Sequence, residues 1–316
     1  MPELPEVHAL AVDLGARLTG RVIRRLDILA IYALKTFAIS PEQLRGQTIA
    51  GVTRHGKFLD IAIGQGRDQG RDQDQRQDQG QHQGGDRAED PVHLVLHLAR
   101  AGWVRWRETE PKVSARPGRS PKNPLAARLI LEPDGAGLDI TEAGTKKSLQ
   151  LHLVRDPRDI ERVRMLGPEP LDPGFTRDVF AGILKTAGRS QIKGVLRDQA
   201  TIAGIGNAYS DEILWAAKMS PFKAAAMTDA EIDRLYAALQ STLRDAIARS
   251  EGLAASELKA EKHEGLKVHG RAGQPCPVCA TTIRQVIFHD SSLQYCPGCQ
   301  TGGRVLADRV LSRLLK

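Results

Sequence analysis

Cysteine is almost missing from this chain. There are four in 316 residues, all between positions 276 and 299. A dispersed disulfide scaffold is thereby excluded, and thiols gathered in one short stretch fit a reducing compartment with a local metal site. No apolar run approaches the ~18 residues a membrane-spanning helix needs, so a soluble chain with no membrane association is expected. Nor do Met1 to Val7, rich in proline and acid, read as a secretory leader. Aromatic residues are scarce at 4%, yet the hydrophobic share of 41% is ordinary for a globular core and excludes a disordered or fibrous chain. An acidic surplus is absent as well: 45 Lys and Arg against 38 Asp and Glu leave a net charge of +7. That balance suits an anionic partner such as nucleic acid.

What is present divides the chain by texture. Leu4, Val7, Ala11, Leu14 and Leu18 recur at helical spacing, so residues 2–19 read as a helix. Pro2 and Pro5 suit its first turn, Glu3 and Glu6 its positive end, and Gly20 stops it. Short β-like runs follow at Arg21–Leu29, Ile49–Ile63, His93–Val104, Ala127–Leu131 and Ser148–Val154, which predict an antiparallel sandwich or barrel. Gly64–Asp90 is nearly all Gly, Gln, Arg and Asp, with four Arg against seven acidic residues. It cannot bury enough surface to offset the entropy of ordering and reads as a disordered insert. Beyond Pro157 four helices are expected at Phe175–Ala187, Ile192–Asp198, Ala208–Lys218 and Asp229–Ser250. The last shows Ile232, Leu235, Leu239, Leu243 and Ile247 on one stripe. The boundaries predicted are 1–155, 156–262 and 263–316.

Cys276-Pro-Val-Cys279 and Cys296-Pro-Gly-Cys299 are paired Cys-x₂-Cys knuckles. Four thiolates so spaced match one structural Zn²⁺ with no open position; two disulfides are the competing reading. Thr282–Phe288 and Ser292–Tyr295 read as a hairpin between the knuckles. A closed site of this kind does no chemistry and fixes a hairpin with too little core of its own. Arg271, Arg284, Arg304, Arg309 and Arg313 could bring it to a phosphate backbone, or could simply be solvated around a C-terminal staple.

Met1-Pro2 is a start from which the initiator is normally removed, which would expose the secondary amine of Pro2. An α-amino group ionises near neutrality and so keeps a usable neutral fraction. Such an amine can attack an aldehyde-like sugar carbon and give an iminium, an electron sink for elimination. Glu3 lies beside it as a possible proton donor and Glu6 one turn on, although both types are also common in any first turn.

Four stretches carry a resemblance. Pro2-Glu3-Leu4-Pro5-Glu6-Val7 resembles the opening of the formamidopyrimidine-DNA glycosylase (Fpg/MutM) and endonuclease VIII (Nei) family, and Leu4 is closer to the Fpg branch. Arg54-His55-Gly56-Lys57-Phe58-Leu59 resembles that family's strand with a catalytic lysine. Asp198 to Glu212 resembles its helix-two-turn-helix signature, and Gln294 to Gln300 the end of its zinc finger. The resemblance covers nearly the whole chain outside the Gly64–Asp90 insert.

It implies an α+β multidomain protein: an N-terminal β-sandwich with an N-terminal helix, a helix-two-turn-helix domain and a C-terminal zinc-finger hairpin. It implies a bifunctional glycosylase and abasic-site lyase of base excision repair, acting as a monomer on double-stranded DNA with a damaged base or abasic site. The compartment implied is the bacterial cytoplasm, at the nucleoid. Pro2 would be the nucleophile at the sugar C1′, Glu3 a general acid/base, Lys57 a proton donor during β-elimination, and Glu6 an accessory group. Asn207 and Lys193 would hold the phosphate beside the lesion. Arg100 stands where the family commonly has a void-filling Met. Thr141–Lys147 replaces an Arg- and Phe-bearing loop, leaving Lys146 and Lys147 for phosphate. Ser291 replaces an Arg associated with δ-elimination. The alternative is a protein of the same fold that binds damaged DNA with little or no glycosylase activity.

Overall fold

The computed structural model describes residues 1–64, 91–110, 124–288 and 291–306. Apart from Gly64, the expected disordered insert lies outside the described residues, as do Arg309 and Arg313.

The chain opens with helix α1 (Leu4–Leu18). Leu4, Val7, Leu10, Leu14 and Leu18 are all buried on its inner stripe, while Val12 faces out. Glu3 is its cap, accepting the Val7 N–H through its carbonyl at 3.0 Å. Glu6, three residues on, returns its carboxylate to the Glu3 N–H at 2.8 Å. This is the reciprocal half of a capping box, and it fixes the helix start.

Eight strands follow: β1 (Ile23–Ile28), β2 (Ile49–His55), β3 (Phe58–Ile63), β4 (Val92–His97), β5 (Gly102–Arg107), β6 (Leu125–Leu131), β7 (Gly137–Glu142) and β8 (Gln150–Val154). They form two separate four-stranded sheets, β1-β6-β7-β5 and β2-β3-β4-β8, and not one closed barrel. β6 is buried on successive residues, hence on both faces, as a central strand must be. Two of the expected runs each divide in two. Ile49–Ile63 breaks at Gly56, whose φ of 54° opens a hairpin turn, and His93–Val104 breaks at Ala99, with φ 50°. β7 carries Gly and Asp within a short span and gave no strand signal.

The remaining elements are α2 (Glu161–Arg164), α3 (Arg177–Ala187), α4 (Ile192–Arg197), α5 (Asn207–Ala216), α6 (Asp229–Ser250), α7 (Leu258–Gly265), hairpin strands β9 (Arg284–Phe288) and β10 (Ser291–Tyr295), and α8 (Pro297–Thr301). α3 to α6 bury one cluster that includes Phe180, Leu196, Tyr209, Ile213, Leu235 and Leu239, and Leu4 of α1 belongs to it. α7 has no apolar stripe; Leu258 is its one buried hydrophobic residue, and charged contacts hold the rest.

By internal packing the chain forms two compact units. One takes Ala11–Arg54 and Phe58–Arg164; the other takes Pro2–Leu10, His55–Lys57 and Met165–Lys316. The N-terminal residues and the β2–β3 turn thus group with the helical and cysteine-bearing half. No helix among the described residues is long and apolar enough to cross a membrane.

Candidate active site

Glu3 does not cap its own helix with its side chain. Its carboxylate reaches α5, accepting the N–H groups of Gly206 at 2.6 Å, Ala208 at 2.9 Å and Tyr209 at 3.3 Å. A helix start has unsatisfied N–H groups and a positive dipole end, and a carboxylate meets both needs. The chain permits this approach because Gly206 has no side chain: a Cβ there would lie 2.5 Å from the Glu3 Cδ. Gly204, at φ +84°, is pressed as closely by Leu4, whose N–H it accepts at 3.0 Å.

Burial of Glu3 is complete and by itself would raise its pKa, but the charges of Lys262 and Lys57 and the α5 N–H groups outweigh it and hold the carboxyl at about 2. Glu3 is therefore an ionised acceptor in the resting protein.

Glu6 is equally enclosed. Besides the Glu3 N–H it accepts the Tyr209 hydroxyl at 2.6 Å and the Lys262 ammonium at 2.6 Å. Lys262 also lies over the Tyr209 ring, 4.8 Å from its centroid. Burial, followed by the nearby Glu6 charge, pushes the Tyr209 phenol well up, so it stays a donor. Lys57 occupies the turn after β2 and is 8% exposed, a buried cation and not a solvated strand lysine. Its neighbour Gly56 donates its N–H to Glu169 at 2.8 Å. Pro2, Glu3, Glu6 and Lys57 thus belong to one compact unit and are all buried.

Asn207 is the first residue of α5, with Gly206 as the cap; a capping role for the Asn207 side chain is excluded. Its Nδ2 donates to the Ser292 carbonyl at 2.6 Å, which uses one of two amide hydrogens. Lys193 is buried, and its ammonium donates to the Asn207 carbonyl at 3.1 Å, Ser210 Oγ at 2.7 Å and Asp211 at 2.6 Å. Those three bonds take up its three protons, and Lys193 braces the start of α5. Asp211, fully enclosed, also accepts the Gln294 N–H at 3.1 Å and pairs with His269 Nδ1 at 2.7 Å.

Arg100, Lys146 and Lys147 belong to the other unit. Within it their loops adjoin, since the Ala143 N–H donates to the Ala101 carbonyl at 3.0 Å. Buried Glu142 shapes the second loop by accepting the Ser148 and Leu149 N–H groups at 2.6 and 2.8 Å. All three cations are exposed, and Lys147 donates to the Glu142 carbonyl at 3.0 Å.

The four cysteine sulfurs lie within 4.8 Å of one another. Cys279 Sγ is 3.3 Å from Cys296 and 3.4 Å from Cys299, and Cys276 is 3.9 Å from Cys299. Tetrahedral Zn²⁺ with Zn–S bonds of about 2.3 Å sets sulfurs about 3.8 Å apart, so the cluster fits one metal ion and not two separate disulfides. β9 pairs with β10 from Arg284↔Tyr295 to Phe288↔Ser291. His289 and Asp290, at the expected tip, lie outside the described residues. Arg271 donates to the Leu266, His263 and Glu264 carbonyls at 3.1, 2.9 and 3.3 Å, closing the end of α7.

Tyr209, Asp211 and Lys262 were not expected. The first two lie inside the Asp198–Glu212 signature without any residue-type signal, and nothing in the sequence around Lys262 points to the site.

An α+β protein with two four-stranded sheets, a helix-two-turn-helix and a four-cysteine hairpin is thereby defined. Residues 1–153 match the formamidopyrimidine-DNA glycosylase N-terminal domain, 166–257 its H2TH domain, and 273–302 a zinc finger found in FPG and IleRS. The chain belongs to the formamidopyrimidine-DNA glycosylase family. It is 32% identical to the formamidopyrimidine-DNA glycosylase of Symbiobacterium thermophilum, over 95% of this chain and 89% of that one. An uncharacterized formamidopyrimidine-DNA glycosylase-like protein of Mycobacterium tuberculosis is 54% identical over 48% of this chain and 96% of its own. The crystal structure of MutM (Fpg) from Thermus thermophilus superimposes with a TM-score of 0.69 at 28% identity, covering 95% of this chain and 98% of that chain.

Proposed function

We propose that this protein is a bifunctional DNA glycosylase and abasic-site lyase that removes oxidised or ring-opened bases through a Schiff base on Pro2. The observation that carries the reading is the placement of Pro2 beside an ionised, doubly anchored Glu3 within reach of buried Lys57 and Lys262 charges. A pure DNA-binding protein needs no such enclosed charge cluster. With Met1 removed, the Pro2 nitrogen bonds to C1′ of the damaged nucleotide, the glycosidic bond breaks, and the amine loses its proton. The C1′–O4′ bond then opens, O4′ taking up the proton the amine released by way of the Glu3 carboxylate, and the product is a cationic iminium that the Glu3 carboxylate stabilises by charge. Loss of the C2′ proton then expels the 3′ phosphate by β-elimination, with the Lys57 ammonium donating a proton to the departing phosphate oxygen. Water releases the sugar and restores the amine. A lesion must leave the base stack before this attack, so phosphates beside it need firm donors. Asn207 supplies one, braced from behind by Lys193, while Arg100, Lys146 and Lys147 serve the DNA from their own unit.

The four cysteines hold one structural Zn²⁺. The chain divides at 155 and 262, and the protein works as a cytoplasmic, nucleoid-associated monomer on duplex DNA. Borohydride reduction in the presence of abasic DNA tests the reading. Wild type should form a covalent adduct and its intact mass should lack Met1. Pro2→Gly with Glu3→Gln should abolish the adduct. An unmodified wild type would leave a damage-binding protein without this chemistry.

A further inference from the structure

Lys262 enters the cluster from an element the sequence left unassigned, and contacts at both ends of its helix hold it in place. α7 is tied to the end of α6 by Glu261, which accepts Arg249 Nε at 2.7 Å and Ser250 Oγ at 3.2 Å. Arg271 closes its other end on three carbonyls. Between these ties the Lys262 ammonium meets Glu6 Oε2 at 2.6 Å. The same oxygen accepts the Glu3 N–H at 2.8 Å, the amide joined directly to Pro2. Oε1 of Glu6 is taken by Tyr209.

We propose that Lys262 is a positioning residue of the Pro2 site: it clamps Glu6, and through Glu6 it fixes the Pro2–Glu3 peptide and balances the negative charge around the amine. The inference rests on the Schiff-base reading above and adds a residue to it. The charged and titratable groups that act on this cluster include Glu3 at the cap of α1, Glu6 on α1, Lys57 on the β2–β3 turn, Lys193 on α4, Tyr209 on α5, and Glu261 and Lys262 on α7. Two enclosed carboxylates next to an amine favour its protonated, unreactive form. A cation clamped onto one of them works the other way, and Lys262 acts on Glu3 ahead of Lys57. Tyr209 cannot substitute, because its phenol stays neutral.

The test is the pH dependence of borohydride trapping on abasic DNA, under single-turnover conditions with saturating DNA. Lys262→Met should trap about tenfold more slowly at pH 7, with the midpoint of the profile raised by about one pH unit, the two being the same shift. Lys262→Gln is one atom shorter but keeps a hydrogen-bond donor toward Glu6 and carries no charge; it should show the raised midpoint even if the Met variant is poorly folded. Lys262→Arg should restore the rate to within about twofold. A brace that merely stabilised the fold would change melting without moving the midpoint. Wild-type trapping combined with unmoved midpoints in both neutral variants overturns the inference alone. Absence of any wild-type adduct overturns the Schiff-base reading itself, and the inference with it.

Discussion

A carboxyl group enclosed by protein ordinarily keeps its proton, because burial penalises the charged form. Glu3 departs from this since two ammonium groups and the start of α5 surround it, and its pKa is held at about 2 against 4.5 for an ordinary glutamate. A group whose folded pKa is depressed stabilises the fold above its unfolded pKa and loses that contribution as pH falls through the folded one. The window here runs from about pH 4.5 down to about pH 2. A difference of this size corresponds to roughly 3 kcal/mol. Glu3→Gln should therefore unfold more easily than wild type in urea at pH 7, and the gap should narrow steadily as pH falls toward 2. A gap independent of pH would show that Glu3 is held as a neutral acid. That Glu3, Glu6 and Lys57 are candidate site residues was legible because each sits in a stretch resembling a known motif, and all three fall in one compact unit. What Glu3 bonds to was not, since its partners Gly206 and Ala208 lie 203 and 205 residues away and only folding brings them there.

At the scale of elements, α5 is where most of the site is assembled. Its first turn takes Glu3, Asn207 points to β10, and Asp211 on its next turn joins Lys193 and His269. Gly206 is the residue that lets a carboxylate come so close, and its backbone, at φ −128°, is open to any amino acid. The constraint is thus steric alone, set by a Cβ position 2.5 Å from Glu3. Gly206→Ala should push Glu3 off the helix start. Crowding of this kind costs about 1–3 kcal/mol and displacing a paired buried charge about as much again. We expect melting to fall by about 5 °C or more and abasic-DNA trapping to drop by more than about tenfold. Wild-type trapping by this variant would mean that the Glu3–α5 contact is dispensable. Helix α6 shows why some elements could be read directly: a 22-residue amphipathic stripe fixes both its limits, and Asp229–Ser250 is where it forms. α7 shows the opposite. Its eight residues, Leu-Lys-Ala-Glu-Lys-His-Glu-Gly, have no periodic apolar face, because ion pairs and carbonyl contacts do the anchoring that packing does elsewhere.

Across the molecule, the compact unit that holds the site is drawn from three separated stretches, Pro2–Leu10, His55–Lys57 and Met165–Lys316. Local sequence signals cannot announce such a grouping. The cysteine hairpin at the end of this unit is bound to α5 and to the turn after it by specific contacts: the Ser292 carbonyl to Asn207, the Gln294 N–H to Asp211, and, from α8, Gln300 Nε2 to the Met219 carbonyl at 2.8 Å. Its own core is small, with Val286, Leu293 and Tyr295 as the buried members. A hairpin with so little to bury would depend for its order on the metal proposed for its four cysteines. Stripping Zn²⁺ with a chelator should therefore loosen β9, β10 and α8 first. In hydrogen exchange, amides of residues 284–301 should lose protection, whereas those of Gly206, Ala208 and Tyr209, which bond to Glu3 and not to the finger, should keep most of theirs. Affinity for abasic duplex should fall by about tenfold or more, since Asn207 loses the carbonyl that orients its amide and the hairpin's cations lose their placement. Trapping at saturating DNA should fall far less. Metal-free protein with full DNA affinity would show that the hairpin is ordered without zinc, and equal loss of protection at Gly206 would show that the site and the finger melt as one.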